Sequence, residues 1–168
     1  MDELEKFEAS MPFDNIMIGG FYKVVQDAEE LDGENRLGYV MYDKFVEQIS
    51  EVNPEWKATV SSRDSVTSQI LLSKFMQWND KEDAICVSVL MSMALLHCPH
   101  SKQDTGKIFY QVLQGGGVEA HSSIAASDKD IEPCFHRMGQ LVTTELIKLY
   151  AEYGGGENKY SEEEMEKL

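Results

Sequence analysis

From Ala84 to Ser101 the chain carries no Asp, Glu, Lys or Arg, and the apolar part of that run, Ile85 to Leu96, is twelve residues long. A membrane-spanning helix needs roughly 20 apolar residues, so this segment is too short to cross a bilayer. It is apolar on every side and reads as a helix buried in a core, which must be wrapped by other elements with one apolar face each. The 168 residues suffice for that. A chain of this length buries roughly 70% of the surface its unfolded form exposes, as one compact domain or two small lobes.

Charge narrows the function classes. With 15 Lys+Arg against 30 Asp+Glu the net charge is −15. Nucleic acids and anionic membranes are recognised by clustered Lys and Arg that displace counterions, so neither is an expected partner. Apolar residues at 42% and aromatics at 10% exclude a disordered polyelectrolyte. The three cysteines, Cys86, Cys98 and Cys134, are too few and too irregular for a secreted disulfide framework. The sequence starts Met1-Asp2-Glu3-Leu4-Glu5-Lys6, which is acidic where a signal peptide is basic and then apolar, and no lipidation signal is visible. A reducing cytoplasmic setting is the expectation.

No stretch shows clean strand alternation between hairpin turns, so the pattern predicts an all-α chain. A short acidic helix is expected over 2–9. The next covers Ile16 to Glu30, with Phe21, Val24, Val25 and Ala28 on one face. A third runs from about Tyr42 to Val52, with Phe45, Ile49 and Val52 in phase and Pro54 as its stop. A fourth spans about Asp64 to Trp78 behind Ser61 or Ser62 as N-cap. The polar gap Asn79–Asp83 leads into the apolar helix 84–97, ended by Pro99. A sixth covers about Asp104 to Gln114 before Gly115-Gly116-Gly117. A seventh runs from about Ile131 to Tyr153, with Pro133 tolerated in its first turn. After Gly154-Gly155-Gly156 comes an acidic tail, 154–168. The domain expected is 11–153, with possible lobes 11–100 and 101–153.

The segment Gly38-Tyr39-Val40-Met41-Tyr42-Asp43-Lys44-Phe45-Val46 resembles the second half of an EF-hand. There a glycine at loop position six allows a sharp turn, an aliphatic at position eight pairs across loops, and an aromatic after position twelve opens the exit helix. Gly38, Val40 and Phe45 fall at those spacings. The entering pattern Phe21-Val24-Val25-Ala28 places the loop start four residues too early, so the loop is stretched to about sixteen residues. In the exit-side register, positions one, three, five and twelve are Gly33, Asn35, Leu37 and Lys44. Calcium needs oxygens there, and a bidentate carboxylate last; a lysine in that place predicts no calcium. A second echo pairs Phe109, Val112 and Leu113 with Ile131, Cys134, Phe135 and Met138, around a loop carrying Val118, Ala120 and His121 instead of carboxylates. The pair 64–78 and 84–97 is a weaker third match.

The resemblance, to the EF-hand superfamily in the calmodulin or myosin-light-chain sense, implies EF-hand-like helix–loop–helix pairs in one or two small lobes. It implies a calcium-independent, light-chain-like or adaptor subunit, not an enzyme, whose apolar groove grips an amphipathic helix of a larger protein. The acidic charge favours a basic target. The groove candidates are Phe21, Val25, Phe45, Ile49, Met76, Met91, Met93, Phe109, Phe135 and Met138, the methionines because unbranched thioethers adapt to varied surfaces. They equally suit plain core filling. No metal or cofactor is expected. Two alternatives stand beside this: a calcium sensor keeping one site through Asp32, Glu34 and backbone oxygens, and a helical zinc- or cysteine-dependent protein. The latter would use Cys98, His100, Cys134 and His136, yet Cys134 and His136 lie two apart on a predicted helix and diverge.

Overall fold

The structure, a computed structural model, describes residues 11–33, 35–113 and the isolated positions 139, 140, 144, 147, 148 and 151. A 3₁₀ turn, Pro12–Asn15, precedes helix α1 (Ile18–Ala28). Strands β1 (Glu29–Asp32) and β2 (Asn35–Met41) follow directly and lead into α2 (Tyr42–Val52). Two short helices come next, α3 (Pro54–Val60) and α4 (Val66–Leu71). Strand β3 (Ala84–Cys86) then runs into α5 (Val87–His97), and α6 (Lys102–Leu113) closes the set.

The all-α expectation is therefore wrong: helices surround a three-stranded antiparallel sheet of order β1-β2-β3. The strands escaped notice for physical reasons. In β1 and β2 the side chains are largely charged or polar, and Gly38 interrupts the second, so no apolar alternation marks them. The turn between them is short: Asp32 pairs with Asn35, and Gly33 at φ +62° makes the reversal. Strand β3 is only Ala84-Ile85-Cys86, buried throughout, and its apolar residues merge with those of α5. A fully buried strand cannot be told from a buried helix by periodicity.

Other boundaries moved as well. Pro54 starts a helix instead of only stopping one, because Asn53 accepts from the N–H groups of Glu55 (2.9 Å) and Trp56 (3.2 Å) as its cap. The fourth predicted helix shrinks to Val66–Leu71, capped by Ser65, which accepts from Ser68 N–H at 3.2 Å. The predicted helices 2–9 and 131–153, the glycine runs and the acidic tail lie wholly or almost wholly outside the described residues.

One core joins these elements. From α1 it takes Ile18, Phe21, Val24, Val25 and Ala28, from α2 Tyr42, Phe45 and Ile49, and from α5 Leu90, Met91, Met93 and Ala94. Ile108 of α6 enters the same core. Tyr42 Oη donates to Ser68 Oγ at 2.7 Å in the interior, tying α2 to α4. At the other end, Ile18 N–H donates to the Pro99 carbonyl at 2.9 Å, so the start of α1, which lacks a side-chain cap, is held by the segment after α5.

Candidate functional site

The sheet has an internal two-fold. Val40 of β2 faces Ile85 of β3, flanked by Tyr39–Cys86 and Met41–Ala84. Two residues before each central partner the backbone is left-handed, at Gly38 (φ +76°) and Asp83 (φ +57°). Two residues after each, a helix begins, at Tyr42 and at Val87. The first N–H of α2 donates to the Asp83 carbonyl at 2.8 Å, so the two turns are bonded to each other as well as paired.

The first of these loops is filled by the chain's own cations. The Glu29 side chain is fully buried, 0% exposed, where α1 passes into β1. Its Oε1 accepts from the Gly38 N–H at 3.0 Å and its Oε2 pairs with Arg36 Nη1 at 3.0 Å. The same Nη1 donates to the Gln26 carbonyl at 3.1 Å in the last turn of α1. A β-carbon on Gly38 would stand 3.3 Å from the Trp78 ring, so both its φ and its packing require glycine. Lys44, early in α2, pairs with Glu30 at 2.9 Å. Both carboxylates that follow the entering helix are thus neutralised from the exit side. A carboxylate already supplied with a guanidinium and a backbone donor gains little by exchanging them for a hydrated divalent ion.

The second turn holds itself with backbone bonds. Trp78 N–H donates to the Ala84 carbonyl (2.8 Å) and Lys81 N–H to the Trp78 carbonyl (2.8 Å), with Asn79 and Asp80 also left-handed. Asp83 points outward to Arg63 (2.8 Å), whose other nitrogen reaches Asp43 (2.8 Å) and whose guanidinium lies 5.0 Å from the Tyr42 ring centroid. Hydrogen bonds to Asp83 and Asp43 hold the Arg63 guanidinium well above its ordinary range, so it stays charged.

Of the groove candidates, Phe21, Val25, Phe45, Ile49, Met76, Met91 and Met93 are brought together as buried members of one cluster, with Phe109 partly buried against it. Phe135 and Met138 lie outside the described residues. Two aromatic residues that periodicity passed over sit at the centre. Phe13, in the 3₁₀ turn, packs on Phe21 (5.4 Å between centroids), on Trp56 (5.0 Å, edge to face) and beside His97 (6.0 Å). Trp56 in turn meets Phe21 (5.7 Å) and Phe45 (5.8 Å). The Asn53-Pro54 cap-and-start pair was the available signal for the Trp56 helix. The Trp56 Nε1–H is buried with no acceptor among the described residues.

Of the cysteine and histidine candidates, only Cys98 and His100 are among the described residues. No three His, Cys, Asp or Glu side chains are placed to hold a metal among the described residues. Cys98 is buried, and that burial, reinforced by the Asp14 carboxylate, pushes its thiol up to about 12, away from thiolate chemistry. His100 Nδ1 donates to the Cys98 carbonyl at 3.0 Å. Cys134 and His136 lie outside the described residues, as does Glu34; Asp32 is exposed at the hairpin end. Among the described residues no helix is long and apolar enough to cross a membrane. No protein-family model, curated protein or solved structure matches the chain.

Proposed function

We propose that this chain is a degenerate EF-hand-like adaptor, a light-chain-like subunit that grips a basic amphipathic helix of a larger cytoplasmic protein without calcium, cofactor or catalysis. The observation that carries the reading is the Val40–Ile85 pairing, with a left-handed residue two before and a helix start two after each partner. Cross-loop pairing at position eight and a turn residue at position six are the EF-hand arrangement. In that register Val40 and Ile85 both take position eight, so the match judged weakest from sequence, 64–97, becomes the partner of the first. Ligand positions one, three, five and twelve of the second turn are then Trp78, Asp80, Glu82 and Val89, which lack the closing carboxylate.

Calcium independence is supported by the Arg36 and Lys44 pairs, which give the first loop the charge balance that a metal gives in the family. Partner choice is supported by the −15 charge, which favours a basic target. Titration with a designed amphipathic helix of Leu and Lys tests the proposal. Saturable one-to-one binding of equal affinity in calcium and in chelator is expected. Absence of binding, or binding only in calcium, would contradict it.

A further inference from the structure

We propose that residues Met11–Ile16 are a built-in plug that occupies, in the free protein, the apolar slot between α1, α3 and α5 into which the partner helix docks. This rests on the adaptor reading above.

The plug is a segment of odd construction. It precedes the first helix of the two-fold pair, and the corresponding stretch before α4, Ser61–Ser65, is polar and supplies no counterpart. Its only regular structure is the short 3₁₀ turn, with no side-chain cap at its start. Yet it places Met11, Pro12, Phe13 and Ile16 inside. Phe13 reaches Phe21 and Trp56, and through Trp56 the ring of Phe45, so a single side chain from a short turn sits at the middle of the aromatic cluster. Among polar contacts, its outer end is held by Asn53 Nδ2, which donates to the Asn15 carbonyl at 2.8 Å on the exposed side.

Such a segment can leave without unwinding a long helix or breaking a strand; its leaving costs the burial of Met11, Pro12, Phe13 and Ile16, which a docked apolar anchor restores. The slot left behind would be lined by Phe21, Trp56 and His97, the shape that an apolar anchor of an amphipathic helix fills. The Trp56 ring that lines the slot carries a buried Nε1–H with no acceptor among the described residues. A docked segment carrying a polar side chain can supply one. The occupant is taken to be basic because the chain it approaches carries −15, and because the sequence leading into the plug, Asp2, Glu3, Glu5 and Glu8, is acidic. A protein whose binding-competent state is a minor one binds more weakly by that fraction, and weakening the plug removes that penalty.

The full-length chain and a fluorescent Leu/Lys amphipathic helix of about 18 residues, long enough to be helical when bound, give the test. Phe13→Ala should bind the helix about tenfold tighter or more than the wild type, with unchanged far-UV circular dichroism. Asn53→Asp keeps the cap oxygen for α3 but loses the donor to Asn15, and should tighten binding about threefold, within the worth of one exposed hydrogen bond. Equal or weaker binding by both variants, or loss of helical signal in Phe13→Ala together with no gain in Asn53→Asp, would overturn the plug and leave the adaptor reading standing. Absence of peptide binding by wild type and variants alike would overturn both.

Discussion

The two turns at the sheet's centre share a backbone plan and differ in what holds them. The first, from Gln26 to Lys44, turns one charge pair inward: Glu29 is buried, and Arg36 bridges it to the end of α1. The second, from Trp78 to Cys86, turns its charges outward and relies on close backbone bonds and three left-handed polar residues. An inward charge pair fixes a loop strongly because each partner, left alone, is a buried ion. Outward pairs are screened and hold little. The lesson is that one buried charge pair can fix a loop whose counterpart rests on backbone bonds.

The largest expected effect follows from that asymmetry. Arg36→Ala takes the guanidinium away from the buried Glu29 carboxylate and should destabilise the fold by about 3–5 kcal/mol, read from denaturant melts. Replacing both partners, Glu29→Gln with Arg36→Met, retains an acceptor for the Gly38 N–H and should recover most of that loss. Failure of the double variant to recover would mean that the pair is not the element that fixes the loop.

The equivalent turn residues give a sharper contrast. Gly38→Asp meets both an unfavourable φ and the Trp78 ring and should cost about 2 kcal/mol. Asp83→Gly relaxes a strained φ while losing an outward ion pair, and the two should cancel to within about 0.5 kcal/mol. Equal costs at the two positions would break the comparison. The smallest effect belongs to Arg63→Ala. Its partners are exposed or half-exposed, so a change under about 1 kcal/mol is expected, shrinking as salt is added.

How much of this was legible depends on what each residue announces. The faces of α1 and α2 were visible because Phe21, Val24, Val25, Ala28 and Phe45, Ile49 repeat at helical spacing and are buried; Val52, in the same phase, is instead 59% exposed at the end of α2. The uncharged run was rightly read as core, and only its first three residues form a strand instead of helix. The sheet was hidden because Gly38 and the charged residues around Arg36 look like loop, and their order comes from pairing with distant residues. Val40 pairs across the sheet with Ile85, a partner the sequence does not show, since cross-strand partners leave no local trace. The groove candidates Phe21, Val25, Phe45, Ile49, Met76, Met91 and Met93 lie buried together in the core, an arrangement the sequence does not show. Phe13 and Trp56, which complete the cluster, sit in elements of four and seven residues, too short to show a period.

The central claim is that the buried Arg36–Glu29 pair, with no bound cation, holds the first loop in shape. Thermal melts of the wild-type chain in millimolar calcium and in chelator address it most directly. Superimposable curves are expected, beside a midpoint roughly 10 °C lower for Arg36→Ala at about 2–4 °C per kcal/mol. A wild-type midpoint that rises with calcium, or an Arg36→Ala curve that matches the wild type, would contradict the account.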